Sequence, residues 1–100
     1  MEEDHQRCPI ERTLQVIGGK WTLLILRDLF DGTKRFGELR RSLDGISPKT
    51  LSERLRQLEA EGIVRRVIYA EVPPRVEYSL TEKGQGLRDI LDGMRAWGSQ

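Results

Sequence analysis

One cysteine and one histidine, Cys8 and His5, are all that 100 residues hold of those two types. A single cysteine excludes an internal disulfide framework, and one histidine beside it leaves no zinc-type ligand spacing. With so few metal ligands, neither a metal nor a cofactor is expected. No apolar run approaches membrane-spanning length, since Leu23 to Leu26 is only a core segment. The first residues, Glu2-Glu3-Asp4, carry the charge opposite to that of a secretory signal, so a cytoplasmic protein with no membrane partner is expected. Repeats, low-complexity blocks and linkers are also missing. The chain therefore reads as one domain over residues 1–100, with 1–7 as a flexible tail.

A large net charge is missing too, because the formal total is only +1. Its distribution is uneven. Between Lys34 and Arg56 seven cations (Lys34, Arg35, Arg40, Arg41, Lys49, Arg54, Arg56) face three anions (Glu38, Asp44, Glu53), while the rest of the chain is net acidic. A segregated excess of this kind suits a surface that meets a polyanion, although a solvated helix pair has the same composition.

The apolar residues recur with helical spacing over most of the chain. Pro9 opens a helix carrying Ile10, Leu14 and Ile17, which Gly18-Gly19 ends. Trp21 to Phe30 is a second helix, stopped by Asp31-Gly32, and Phe36 to Leu43 a short third one. After a tight turn at Asp44-Gly45-Ile46, Ser47 caps a fourth helix that begins at Pro48 and ends at Gly62. The period then changes. Ile63 to Tyr69 and Val76 to Leu80 are rich in β-branched residues and are joined by a Pro73-Pro74-Arg75 tip, the pattern of a two-stranded hairpin. Thr81 caps one final helix whose Leu87, Ile90, Leu91, Met94 and Trp97 form an apolar stripe. The expected fold is α+β and mostly α, a winged helix-turn-helix with a two-stranded wing and terminal dimerisation helices. A generic α+β domain would leave the arginine at the hairpin tip unexplained.

The Ser47 helix is the most informative segment. Leu51, Leu55 and Leu58 at i, i+4 and i+7 make a narrow stripe that docks it. Lys49, Glu53, Arg56 and Gln57 point away from that stripe, with Thr50, Ser52 and Arg54 on its flanks. Small hydroxyls and long cations in its first turns suit insertion into a DNA groove. Alone, the same pattern fits an ordinary amphipathic helix; its place after a short helix and a tight turn, and before a hairpin, favours DNA.

Several blocks together resemble a known family. They are Cys8-Pro9, Ile17-Gly18-Gly19-Lys20-Trp21-Thr22, Arg35-Phe36-Gly37-Glu38-Leu39, Gly45-Ile46-Ser47-Pro48-Lys49-Thr50-Leu51-Ser52, Arg54-Leu55, Leu58-Glu59, Pro73-Pro74-Arg75-Val76-Glu77-Tyr78 and Leu80-Thr81. In this order they resemble the HxlR-type transcriptional regulators, small winged helix-turn-helix proteins related to the MarR group. The likeness runs from Cys8 to about Leu87. It implies a dimeric DNA-binding regulator joined through its terminal helices, with some members sensing oxidants or electrophiles through a cysteine near the N-terminus.

On that basis Ser47, Lys49, Thr50 and Ser52 are expected at base edges and phosphates, with Arg56 one turn further along. Arg54 either touches DNA or pairs with a carboxylate such as Glu38. Arg75, on a stiff tip, suits minor-groove or phosphate contact. Lys34 and Arg35 precede the third helix as phosphate clamps, and Arg40 and Arg41 are either clamps or solvated surface. The terminal stripe (Leu87, Ile90, Leu91, Met94, Trp97), with Ile10 and Leu14, is expected to be covered by a partner chain, and Trp21 to be core. Cys8, at the N-cap of the first helix, is either a redox or electrophile sensor or an inert thiol. The helix N-terminus, Arg7 and His5 favour its thiolate, while Glu2, Glu3, Asp4 and Glu11 oppose it.

The reading that joins these features is a homodimeric, sequence-specific regulator on a pseudo-palindromic double-stranded operator, more a repressor than an activator, with a small-molecule or oxidant effector. A thiol enzyme using Cys8 is disfavoured by the single histidine and the missing resolving cysteine. A winged-helix module that binds protein leaves Lys49, Arg56 and Arg75 without a purpose.

Overall fold

The computed structural model describes residues 8–100, so the expected flexible tail and the residues His5, Arg7, Glu2, Glu3 and Asp4 around the thiol lie outside it. Helix α1 (Pro9–Ile17) starts where Pro9 presets the backbone angle and Cys8 caps it. The Cys8 Sγ accepts the Glu11 N–H at 3.4 Å, and the Cys8 N–H donates back to Glu11 Oε1 at 3.2 Å, a reciprocal capping box. Gly19, at φ +92°, turns the chain into α2 (Lys20–Phe30), whose Ile25 and Leu26 are fully buried at the centre of the core. Trp21 is half-buried against that core, with the Lys20 ammonium 4.6 Å from its ring centre.

Strand β1 (Lys34–Arg35) leads directly into α3 (Phe36–Ser42), where the Glu38 carboxylate accepts the Arg35 N–H at 2.8 Å. The turn to α4 (Pro48–Ala60) passes through Gly45 at φ +93° and buries Ile46. Helix α4 is closed at both ends. The Ser47 Oγ accepts the Thr50 N–H at 3.0 Å at its start. At its end Gly62 takes φ +76°, and the Ile63 N–H reaches back to the Leu58 carbonyl at 2.9 Å, a Schellman closure. Strands β2 (Val64–Tyr69) and β3 (Arg75–Leu80) then run antiparallel, with Val64 opposite Leu80 and Tyr69 opposite Arg75.

Two expectations change here. The wing is part of a three-stranded sheet ordered β1-β3-β2, because Lys34 and Arg35 pair with Tyr78 and Glu77. A strand of two residues has no readable alternation, so the sequence pattern marks only the hairpin. The last helix is also two. Thr81 caps a single turn, α5 (Glu82–Gln85), and the chain then bends at Gly86 and Leu87 before α6 (Arg88–Gly98). At Gly84, α5 lies tight against the start of the wing. A Cβ on Gly84 would collide with the Ile63 carbonyl oxygen and press on the Leu80 and Ile63 side chains. Gly84→Ala should therefore destabilise the fold by about 1–3 kcal/mol, as overpacking of a filled site does, and lower the thermal midpoint measured by circular dichroism.

The apolar stripe, which lies beyond the bend, is divided between two faces of α6. Leu91 is 8% exposed and belongs to the protomer's own core, and Leu87 packs against that core. Leu91 therefore has little surface left to offer a partner, and Leu87, half-buried, has less than the spacing alone suggests. Ile90, Met94 and Trp97 are exposed on the adjoining side of α6, and Ile10 and Leu14 of α1 are exposed as well.

Candidate nucleic-acid interface

The three leucines of α4 are sunk in the core, at 0–2% exposure. Burying them anchors the helix rigidly and leaves its opposite face in solvent. On that face Ser47, Lys49, Arg56 and Gln57 are exposed, and Thr50, Ser52, Glu53 and Arg54 are half-buried along its flanks. Ser47 is committed locally: besides capping the helix, its hydroxyl donates to the Thr50 Oγ1 at 3.0 Å. That contact leaves the Thr50 hydroxyl proton free to point outward, so Thr50 is the better placed hydroxyl for a base or phosphate.

Arg54 does not meet Glu38. The Glu38 carboxylate is held by the Arg35 N–H, and among the described residues Arg54 has no ion pair. The same holds for Lys34, Arg35, Arg40, Arg41, Lys49, Arg56, Arg65 and Arg66. The ion pairs found lie elsewhere, at Arg27–Asp28, Arg95–Asp92 and around Arg75. An unpaired cation keeps its full field for an external anion, so the segment from Lys34 to Arg66 is the part of the described surface best suited to phosphate.

Lys34 and Arg35 sit on β1, one half-buried and one exposed, and alternation sends them to opposite faces of the sheet. Arg40 and Arg41 flank a shallow hollow beside Gly37 on α3. Between α4 and the sheet lies a cleft of about 360 Å³, where Ser52 and Arg56 meet Arg66 of β2 and the ring of Tyr78. Arg66 was not singled out from the sequence. Counting by twos from the buried Val64 would have placed it on the face that looks towards α4.

Arg75 differs from expectation. It is the first residue of β3 and not the bare apex of the tip, and its side chain is only 29% exposed. Its guanidinium lies 4.1 Å from the Tyr69 ring centre and pairs with Glu71 at 3.1 Å and Glu77 at 3.3 Å. Cys8, by contrast, is exposed where the sequence placed it, at the α1 N-cap.

A capped helix following a short helix and a tight turn, with a β-hairpin behind it and cations free of carboxylates on its open face, defines a winged helix-turn-helix protein. The profile of the HxlR-like helix-turn-helix family matches residues 16–100, and the chain belongs to that family. It is similar to an uncharacterized HTH-type transcriptional regulator of Bacillus subtilis, YybR, with 52% identity over 91 residues that cover 91% of this chain and 73% of the relative. Among solved structures it is similar to the redox regulator HypR in its oxidized form, at TM-score 0.88 and 51% identity over 92% of this chain and 95% of that one. It is also similar to diamide-treated YodB from B. subtilis, at TM-score 0.79 and 42% identity over 94% of each chain. The protein is thus a transcriptional regulator of the HxlR type. None of the described helices is long and apolar enough to cross a membrane.

Proposed function

We propose that this chain acts in the cytoplasm as a homodimer on double-stranded DNA and represses transcription by occluding its operator, without catalysing a reaction. The observation that carries this reading is the run of cations without carboxylate partners on and around α4, a helix whose other face is locked by Leu51, Leu55 and Leu58. Two α4 helices enter successive major grooves of a pseudo-palindromic site, about 34 Å apart. Lys49, Thr50 and Ser52 face base edges and phosphates, with Ser47 and Arg54 beside them. Lys34, Arg35 and Arg56 hold the flanking backbone.

The second copy covers the apolar face of α1 and α6. Ile10 is 72% and Trp97 76% exposed, and Ile10, Leu14, Ile90 and Met94 line one groove of about 320 Å³. A continuous apolar surface of this kind is costly to leave in water. Footprinting the DNA upstream of its own gene tests the reading. Two protected segments about one helical turn apart are expected; a single short protected segment, or none, would contradict a two-fold dimer on DNA.

Cys8 is the proposed sensing group. HypR is a redox regulator with solved oxidized and reduced forms, and YodB has been solved both reduced and after diamide. In this chain two Cys8 thiols, one from each protomer, would lose two electrons and two protons to an oxidant such as diamide, which leaves as the hydrazine, and join in an intermolecular disulfide. Cellular low-molecular-weight thiols offer the alternative of a mixed disulfide. Cys8→Ser should bind DNA like the wild type but lose any change in binding on diamide treatment. A wild type whose DNA affinity is unchanged by diamide would make Cys8 a structural cap only.

A further inference from the structure

The wing carries its charges in an order that a contact at its tip does not explain. Val72 at the apex is fully exposed, and Pro73 and Pro74 follow it without a cation. Arg75 lies behind them, stacked on Tyr69 and clamped between the carboxylates of Glu71 and Glu77. Both of its terminal nitrogens are engaged, and its Nε is buried without an acceptor. The segment from Glu71 to Glu77 therefore holds one cation and two anions. A phosphate arriving there would have to displace one carboxylate and would still face the other.

The base of the wing is different. Arg66 stands opposite Tyr78 on the strand face that looks towards α4, exposed and without an ion pair among the described residues. Across the cleft stands Arg56, also exposed and without an ion pair, with Ser52 one turn before it. The one carboxylate lining the cleft, Glu59, is one turn further along α4, so an anion is accommodated towards Ser52. Two long cations from separate elements, with a hydroxyl one turn from one of them, can grip one phosphate group from both sides of the cleft.

We propose that the wing holds DNA from its base: Arg66 and Arg56 form a clamp on the phosphodiester backbone, and Arg75 is a positioning residue that fixes the shape of the hairpin. This inference rests on the DNA-binding reading above and adds Arg66 to the contact surface. It also accounts for the cation–carboxylate cluster at the wing end, which would oppose a phosphate contact there.

The test compares variants on labelled duplexes tiling the DNA upstream of the gene, titrated between about 50 and 200 mM salt. Arg66→Gln should flatten the slope of log affinity against log salt by about 0.9 for each protomer, hence about 1.8 in a dimer, and Arg56→Gln should do the same. The thermal midpoint should not move, since both side chains are exposed. The triple variant Glu71→Gln/Arg75→Gln/Glu77→Gln removes the charges of the cluster together, so that neither carboxylate is left free to recruit Arg35, which lies opposite Glu77 in the sheet. It should bind a few-fold more weakly, from the loosened hairpin, at the wild-type slope. Loss of about 0.9 per protomer from the slope of the triple variant would make Arg75 the phosphate contact and overturn the proposal. An unchanged slope in Arg66→Gln would overturn it equally. A wild-type slope near zero is a distinct result that removes the DNA reading itself and this inference with it.

Discussion

Lys49→Glu should abolish operator binding while leaving the fold as stable as before or slightly more so. Lys49 is the second residue of α4, exposed and without an ion pair among the described residues, in the turn that a groove-inserted helix presents to DNA. Loss of one base or phosphate contact typically weakens binding by about 1–3 kcal/mol, and a two-fold dimer loses it twice. The new carboxylate also repels the phosphates on either side. Affinity should therefore fall by about 10²-fold or more, measured by fluorescence anisotropy on the upstream duplex. Stability moves the other way. An anion in the first turn of a helix interacts favourably with its dipole, by about 0.3–1 kcal/mol. Opposite signs for binding and stability separate loss of a contact from loss of the fold. Binding that survives the substitution would mean that the first turn of α4 does not enter the groove.

Met94→Asp should convert the proposed dimer to monomers that remain folded. Met94 is half exposed and lines the α1–α6 groove, so an aspartate there is solvated in the single chain. In the proposed dimer the same carboxylate would be buried, with no cation introduced to pair with it. A buried unpaired charge costs several kcal/mol, which exceeds what most modest interfaces have to spare. Analytical ultracentrifugation should show the monomer mass, and operator affinity should fall by about 10²-fold or more, because each protomer then holds only a half-site. A variant that still sediments as a dimer would place the interface elsewhere.

Most of the fold is readable from local chemistry. Ser47-Pro48 marks the start of α4, the Leu51, Leu55 and Leu58 stripe its buried face, and Gly62 its end, because each is a short-range requirement of helix geometry. The parts that escaped depend on contacts distant in sequence. Strand β1 exists only because the outer edge of β3 pairs with it, and two residues carry no period. The last helix breaks at Gly86, ahead of the apolar spacing that starts at Leu87, and its first turn, α5, packs separately against Ile63. The spacing also cannot tell which apolar residues the chain covers for itself: Leu91 faces inward, while Ile90, Met94 and Trp97 do not.

The candidate interface follows the same rule. The cations of α3 and α4 are legible as a local excess of charge, but only the tertiary placement shows that they lack carboxylate partners among the described residues. Arg75 looked like a free tip cation because Glu71 and Glu77 become its neighbours only through the hairpin register that sets Tyr69 opposite it. Arg66 does not stand out in a run of two arginines, since only strand alternation decides which of the pair faces α4.

The salt dependence of wild-type binding to the upstream duplex tests the central claim most directly. The proposed surface sets Lys34, Arg35, Arg56 and Arg66 of each protomer against phosphates, so affinity should fall by about 10³-fold or more between about 50 and 200 mM salt. An affinity that barely changes over that range would show that these cations do not meet the DNA backbone, and would contradict the account.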